Sequence, residues 1–257
     1  MAHTLVVHPD FKKYEQQLRG VLANFEQSGT ALVETGRNHI RKVELGKEVL
    51  TIKRFKTPNI FNGLVYRYLR KSKARRSYEY ALRLSELGIG TPQPIAYSEE
   101  LGFTLKTSFY ICRYLDYDLD FRTLNHNPLY PDREGVLRAV ARFTYQMHQN
   151  GINFLDHSPG NTLIKNDGEG GYYCYLIDLN RMRFEQLGFK GRMRNFRRLW
   201  PSRTMLRIMA DEYAKLSGHG FEETHHWMSH YARRFMRKVN AKKLRRRRRE
   251  ALRRGER

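Results

Sequence analysis

The sequence predicts an α+β fold in which strands dominate before residue 116 and helices after it. Two patterns carry that reading. Between residues 38 and 114, short runs rich in Val, Ile, Tyr and Phe are punctuated by Gly and Pro, whereas residues 133–149, 206–216 and 221–239 space apolar side chains three and four apart along one face. A 257-residue chain with 40% hydrophobic and 12% aromatic residues buries a real core, as one large domain or two small lobes, so a disordered chain is excluded.

Taken in order, residues 11–25 read as an amphipathic helix, with Tyr14, Leu18, Val21, Leu22 and Phe25 on one face and Asp10 as N-cap. Residues 34–38 form a loop with a single glycine, Gly36, where a phosphate could lie against backbone N–H groups; taken alone, an ordinary turn is the favoured reading. Strands 38–45 and 48–56 follow, joined at Gly46-Lys47. The second carries Leu50-Thr-Ile-Lys53. A lysine on a partly buried strand requires an anionic partner, a carboxylate or a ligand phosphate, while nearby Arg54 and Lys56 favour a solvated lysine. Residues 64–87 form a basic helix in which Glu79, among Tyr78, Leu82 and Leu84, faces protein; Glu86 competes for that role. Gly88 and the run Thr91-Pro-Gln-Pro94 end it.

Residues 95–97 and 101–114 are further strands. The acidic run Asp116-Tyr-Asp-Leu-Asp120 marks a boundary, which divides the chain into residues 1–115, 116–240 and a basic tail, 241–257. In the helix 133–149, Val136, Leu137, Val140, Phe143, Thr144 and Met147 make one buried stripe, and His148 is placed as a C-terminal capping residue. His225, His226 and His230 suggest a metal cluster, but neighbouring histidines diverge on a helix and a solvated face fits better.

The chemistry concentrates in residues 148–184. Asp156-His-Ser-Pro-Gly-Asn161 sets an Asp and an Asn in one loop, and the apolar run 173–177 ends on Asp178. Such oxygen donors suit Mg²⁺ on a polyphosphate, with one carboxylate left to take a proton from an attacking hydroxyl.

The formal net charge of +22 implies anionic partners: nucleic acid, an anionic membrane face or a phosphorylated substrate. From residue 233 onward fourteen Lys/Arg face only Glu250 and Glu256, a net of +12 that leaves +10 for the rest. Cys112 and Cys174 sit in strand-like runs and read as core thiols of a reducing compartment. With no signal peptide and no uncharged apolar run near 18 residues, the expected location is cytoplasmic, with peripheral membrane contact.

The order of these features — strand Lys53, helix Glu79, an acidic hinge-like segment, a long helix, Asp156-x4-Asn161, strand-terminal Asp178 — resembles the protein-kinase-like fold, and specifically the Kdo/WaaP lipopolysaccharide kinase family. Lys53-Arg-Phe, Gly88-Ile-Gly-Thr-Pro92 and Gly151-Ile-Asn-Phe-Leu-Asp156 point to that branch. The resemblance implies two lobes, an antiparallel-sheet N-lobe and a mainly helical C-lobe. It implies ATP and Mg²⁺ as cofactors, with Lys53 on the α- and β-phosphates, Glu79 orienting it, and Gly36, Arg113 and Leu115 as further nucleotide-binding positions. Asp156 is then the base, and Asn161 and Asp178 the metal ligands.

Several positions depart from the protein-kinase pattern. Phe154-Leu155 precedes Asp156, Leu179-Asn180 follows Asp178, only Gly36 stands for a Gly-rich loop, and no Ala-Pro-Glu segment exists, all of which argue against a protein substrate. The implied reaction is phosphorylation of Kdo, or less favourably heptose, on a lipopolysaccharide core precursor such as Kdo-lipid A. The basic tail is expected to tether the enzyme to the cytoplasmic face of the inner membrane. Two alternatives remain: a nucleic-acid- or ribosome-binding protein on a kinase-like scaffold, favoured by Leu244-Arg-Arg-Arg-Arg-Arg249, and a small-molecule phosphotransferase of the aminoglycoside or choline type, favoured by Asp116, Asp118 and Asp120.

Overall fold

A computed structural model describes residues 2–35 and 38–254. The chain forms two compact units, Met1–Asp116 with Tyr175–Asn180, and Tyr117–Cys174 with Arg181–Arg257.

The first unit is built on an antiparallel sheet. Its strands are β1 (Ala2–Val7), β2 (Thr30–Thr35), β3 (Asn38–Leu45), β4 (Glu48–Phe55), β5 (Pro94–Leu101) and β6 (Leu105–Arg113), in the order β1-β5-β6-β4-β3-β2. Gly46, at φ +62°, turns the β3–β4 hairpin, a conformation that costs a glycine least. β4 is an interior strand, with Lys53 opposite Ile40 on one side and Tyr110 on the other. Period-two alternation sends Leu50 and Ile52 into a core shared with Phe11, Leu18, Leu22 and Phe25. Phe55 goes to a separate cluster with Ala74, Tyr78 and Tyr97.

The amphipathic helix expected near the N-terminus is a 3₁₀ stretch, Pro9–Tyr14, followed by α1 (Glu15–Ala23); His8, not Asp10, is the N-cap, its Nδ1 accepting from the Asp10 N–H at 3.3 Å. The expected loop at 34–38 is narrower than anticipated, since Glu34, Thr35 and Asn38 belong to strands; Gly36 lies outside the described residues. The expected helix 64–87 is interrupted. α2 (Ile60–Leu64) runs into a π-turn at Val65–Leu69, Arg70 is extended, and α3 (Lys73–Glu86) restarts on Ser72, whose hydroxyl accepts from the Arg75 N–H at 3.0 Å. Gly88 closes α3 at φ +67°, with the Ile89 N–H returning to the Leu84 carbonyl at 2.9 Å.

The second unit contains β7 (Leu119–Asp120), α4 (Phe121–His126), α5 (Arg133–Gln149), β8 (Ile152–Phe154), β9 (Thr162–Asn166), β10 (Tyr172–Leu176), β11 (Met182–Phe184), α6 (Phe189–Asn195), α7 (Arg203–Ser217) and α8 (Phe221–Arg253). The last two residues of β10 count with the first unit. The strands make a small sheet, β10-β9-β7, and a ribbon, β11-β8. α5 buries Val136, Leu137, Val140, Phe143 and Met147 as its spacing demands. His148 is not a cap. It is fully buried, its Nδ1 lies 2.9 Å from the Tyr213 hydroxyl, and burial pushes its pKa down to about 3. α8 continues into the basic tail as far as Arg253. No helix among the described residues is long and apolar enough to cross a membrane.

Candidate active site

The first unit presents Lys53 and Asp178. The Lys53 side chain is only 14% exposed, and its Nζ donates to Asp178 Oδ1 at 2.8 Å. Asp178 has φ +57°, a left-handed conformation that an Asp tolerates better than most L-residues. Its segment is moored at several points: the Leu176 N–H to the Gly90 carbonyl at 2.9 Å, the Thr91 hydroxyl to the Leu176 carbonyl at 2.9 Å, and the Arg76 guanidinium to the Asn180 carbonyl at 2.8 Å. Asn180 Nδ2 also donates to Asp178 Oδ1, at 2.6 Å. Both side-chain contacts fall on Oδ1, and Oδ2 takes part in neither.

Glu79 does not meet Lys53 in this structure. Its carboxylate accepts from Lys71 Nζ at 2.9 and 2.7 Å and from Arg75 Nε at 2.9 Å. Burial raises its pKa, but these hydrogen bonds outweigh that and hold the group below the usual glutamate range. The reason is local: Arg75 lies one helical turn before Glu79, and Lys71 just ahead of the helix. Arg113 also has a structural partner, its fork meeting Glu48 at 3.0 and 3.1 Å, and Leu115 is half-buried in the irregular stretch after β6.

The second unit presents Asp156 and Asn161 in the loop after β8. That loop is fastened from below. The Leu155 N–H donates to the Arg181 carbonyl at 3.0 Å, and buried His157 has Nδ1 3.0 Å from Asn195 Oδ1. Asn195 Nδ2 donates to Asn153 Oδ1 and the Phe154 carbonyl, so its oxygen faces His157, which donates from Nδ1 as a neutral ring. Burial lowers the His157 pKa to about 4, consistent with that form. Asn161 Nδ2 donates to the Asp156 carbonyl at 2.9 Å, which turns the amide oxygen away from that bond. The Asp156 carboxylate is held by two arginines, Arg198 at 2.8 Å and Arg181 at 3.6 Å.

Arg76, Asn180, Arg181, Arg198, His157 and Asn195 were not singled out by sequence reasoning. Arg76 and Arg198 sit in basic runs that read as solvated surface, and His157, Asn180, Arg181 and Asn195 take their partners from segments distant in sequence or from the backbone, which only the fold reveals. Each unit offers oxygen donors of the kind a hard cation takes: in the first the Asp178 carboxylate, in the second the Asn161 amide oxygen, whose nitrogen is already used. Elsewhere, among the described residues no three His, Cys, Asp or Glu side chains come close enough to share a metal ion.

An interior-strand lysine on an Asp, and a fastened loop bearing an Asp and an Asn, belong to the two-lobed protein-kinase-like phosphotransferases. A family model described as the lipopolysaccharide kinase (Kdo/WaaP) family matches residues 52–218. The chain belongs to that family. Among solved structures it is similar to WaaP in complex with acyl carrier protein, with a TM-score of 0.63, 18% identity, and coverage of 90% of this chain and 99% of that one. A Stt7 homolog from Micromonas algae, soaked with ATP, matches with a TM-score of 0.44 and 13% identity over 61% of this chain and 49% of that one. No curated protein matches in sequence.

Proposed function

We propose that this kinase transfers the γ-phosphoryl group of ATP to a hydroxyl of Kdo, in preference to heptose, in the lipopolysaccharide inner core. When bound, ATP supplies the phosphoryl group and Mg²⁺ neutralises the charge on its phosphates. Lys53 binds phosphate oxygens, Asp178 and Asn161 offer the cation their side-chain oxygens, and Asp156 orients the acceptor hydroxyl and takes its proton. The carrying observation is the half-buried Lys53–Asp178 pair, at 2.8 Å, because a cation so enclosed requires an anionic partner and phosphates are one.

The preference for Kdo rests on Arg181 and Arg198. A carboxylate-bearing sugar offers these forks an anion beside the hydroxyl held by Asp156, and a neutral heptose does not. Beyond residue 240, α8 is exposed along its basic length, and Lys242 to Arg249 hold seven cations. This end tethers the enzyme to an anionic membrane face, each cation contributing on the order of 1 kcal/mol near the surface.

The test is purified protein with ATP, Mg²⁺ and either Kdo-lipid A or a heptose-terminated acceptor, read by mass for one added phosphate. Asp156→Ala and Asp178→Ala should each lower the rate by orders of magnitude. Unchanged rates would remove the assignment, and equal use of both acceptors would remove the preference for Kdo.

A further inference from the structure

Another surface, in the first unit and unrelated to the tail, carries both charge and exposed apolar side chains. Asn59 caps α2 by accepting from the Asn62 N–H at 3.0 Å, and the following π-turn is closed by the Arg70 N–H on the Val65 carbonyl at 2.8 Å. The element is held against the β5–β6 hairpin tip through Gly63, where an added Cβ would lie only 2.8 Å from the Thr104 Cβ. Asn62 and Tyr66 line a cleft with Phe55, Lys73, Leu105 and Ser108.

Other side chains of the element point into solvent. Ile60 is 74% exposed, Phe61 74%, Tyr68 67% and Leu69 83%, and Phe103 at the hairpin tip is 77% exposed. Side chains of this size seldom crowd a free surface together without a function. The segment that carries them has one sign: residues 49–78 contain nine Lys/Arg and no Asp or Glu, two of them, Lys71 and Arg75, being paired with Glu79, while Glu99 and Glu100 lie on β5 before the tip. Of the nine, Lys56, Arg67, Arg70 and Lys73 are exposed.

We propose that residues 60–69 and the tip at Phe103 form a membrane-inserting contact for an anionic phospholipid bilayer. Apolar side chains ringed by cations match the interface of such a bilayer, with acyl chains below and phosphates at the level of the cations. The contact is independent of the phosphoryl-transfer reading. It differs from the tail in mechanism: the tail, where Leu244 and Leu252 stand singly among many cations, binds chiefly by charge and is screened by salt, whereas a cluster of inserted apolar groups is not.

The test uses the full chain and vesicles of phosphatidylethanolamine with phosphatidylglycerol, sedimented at low salt and at about 0.5 M salt, where the Debye length falls to a few ångströms. The wild type should retain binding at high salt, and the triple variant Ile60→Ser, Phe61→Ser, Leu69→Ser should lose it by tenfold or more. Leu129→Ser, which removes a 91% exposed leucine from the second unit, should bind like wild type. A conservative Phe61→Leu, Leu69→Ile variant should also bind, which separates insertion from misfolding. High-salt binding unchanged in the triple variant, or lost equally in Leu129→Ser, overturns the proposal. Phosphorylation of a detergent-dispersed acceptor by the triple variant should equal wild type. Its loss, with vesicle binding intact, would place these residues in catalysis instead.

Discussion

Asp178 combines a backbone and a side-chain demand, and three substitutions separate them. At φ +57° an alanine costs about 1–2 kcal/mol that Asp, Asn and Gly largely avoid. The carboxylate also accepts from Lys53 at 2.8 Å and from Asn180 at 2.6 Å, and a hydrogen bond to a charged group contributes about 1.5–3 kcal/mol. Asp178→Asn keeps the backbone preference and an accepting oxygen but loses the charge, so about 1–2 kcal/mol of stability should go. Asp178→Ala loses everything and leaves the 14% exposed Lys53 unpaired, so it should fall below Asp178→Asn by a further 1–2 kcal/mol or so. Asp178→Gly should lie between them, because it restores the left-handed backbone alone. Urea denaturation of the ligand-free protein reads the order, and all three should be catalytically inactive. If Asp178→Ala is as stable as Asp178→Asn, neither the strained backbone nor the Lys53 pair matters in the way argued.

Three further outcomes follow from the same contacts. His148 and His157 have pKa values pushed down to about 3 and about 4, while the unfolded chain titrates near 6.5, so the unfolded state binds more protons between those limits. Stability is therefore full above about pH 6.5 and falls as the pH drops; two such groups should cost about 3 kcal/mol at pH 5.5, and His157→Gln should halve the dependence in urea titrations. Arg198→Ala should raise the KM for a Kdo-bearing acceptor about tenfold with the KM for ATP unchanged; an effect confined to kcat would assign Arg198 to holding Asp156 instead. At the end of α8, Lys242/Arg246, Lys243/Arg247 and Arg245/Arg249 set like charges four apart, each costing about 0.2–0.5 kcal/mol, and Arg246–Glu250 at 3.4 Å offsets one. Helix content by circular dichroism should therefore rise with salt in the full chain and not in a chain ending at residue 240.

Local signals in the sequence were legible because their causes are local. The stripe of α5 predicts residues 133–149, which the structure matches at both ends, and Gly88 stops α3 where only a positive φ can. The failures are of two kinds. β1 pairs with β5 across 89 to 99 residues, and a six-residue edge strand carries too little pattern of its own to announce that partner. The break before α3 failed differently. The helical spacing continues through residues 64–87, while Ser72 at the N-cap overrules it by satisfying a backbone donor at the new start.

At the candidate site, the sequence suggested residue types but not their partners. Lys53 and Asp178 could each be named, but 125 residues separate them, and nothing in the sequence says that each is the other's counter-ion before any ligand arrives. Glu79 was assigned to Lys53 by order along the chain, yet two nearer cations hold it in this structure. With 48 Lys and Arg in the chain, a sequence cannot say which of them are surface and which are structure. Arg76, Arg181 and Arg198 share their residue type with the exposed end of α8, but they meet a backbone carbonyl and the half-buried Asp156 carboxylate. The positive charge is thus of two kinds: cations along the end of α8 stand in solvent, and a few others, Arg76 buried, Arg198 half-buried and Arg181 exposed, hold a particular carbonyl or carboxylate in place.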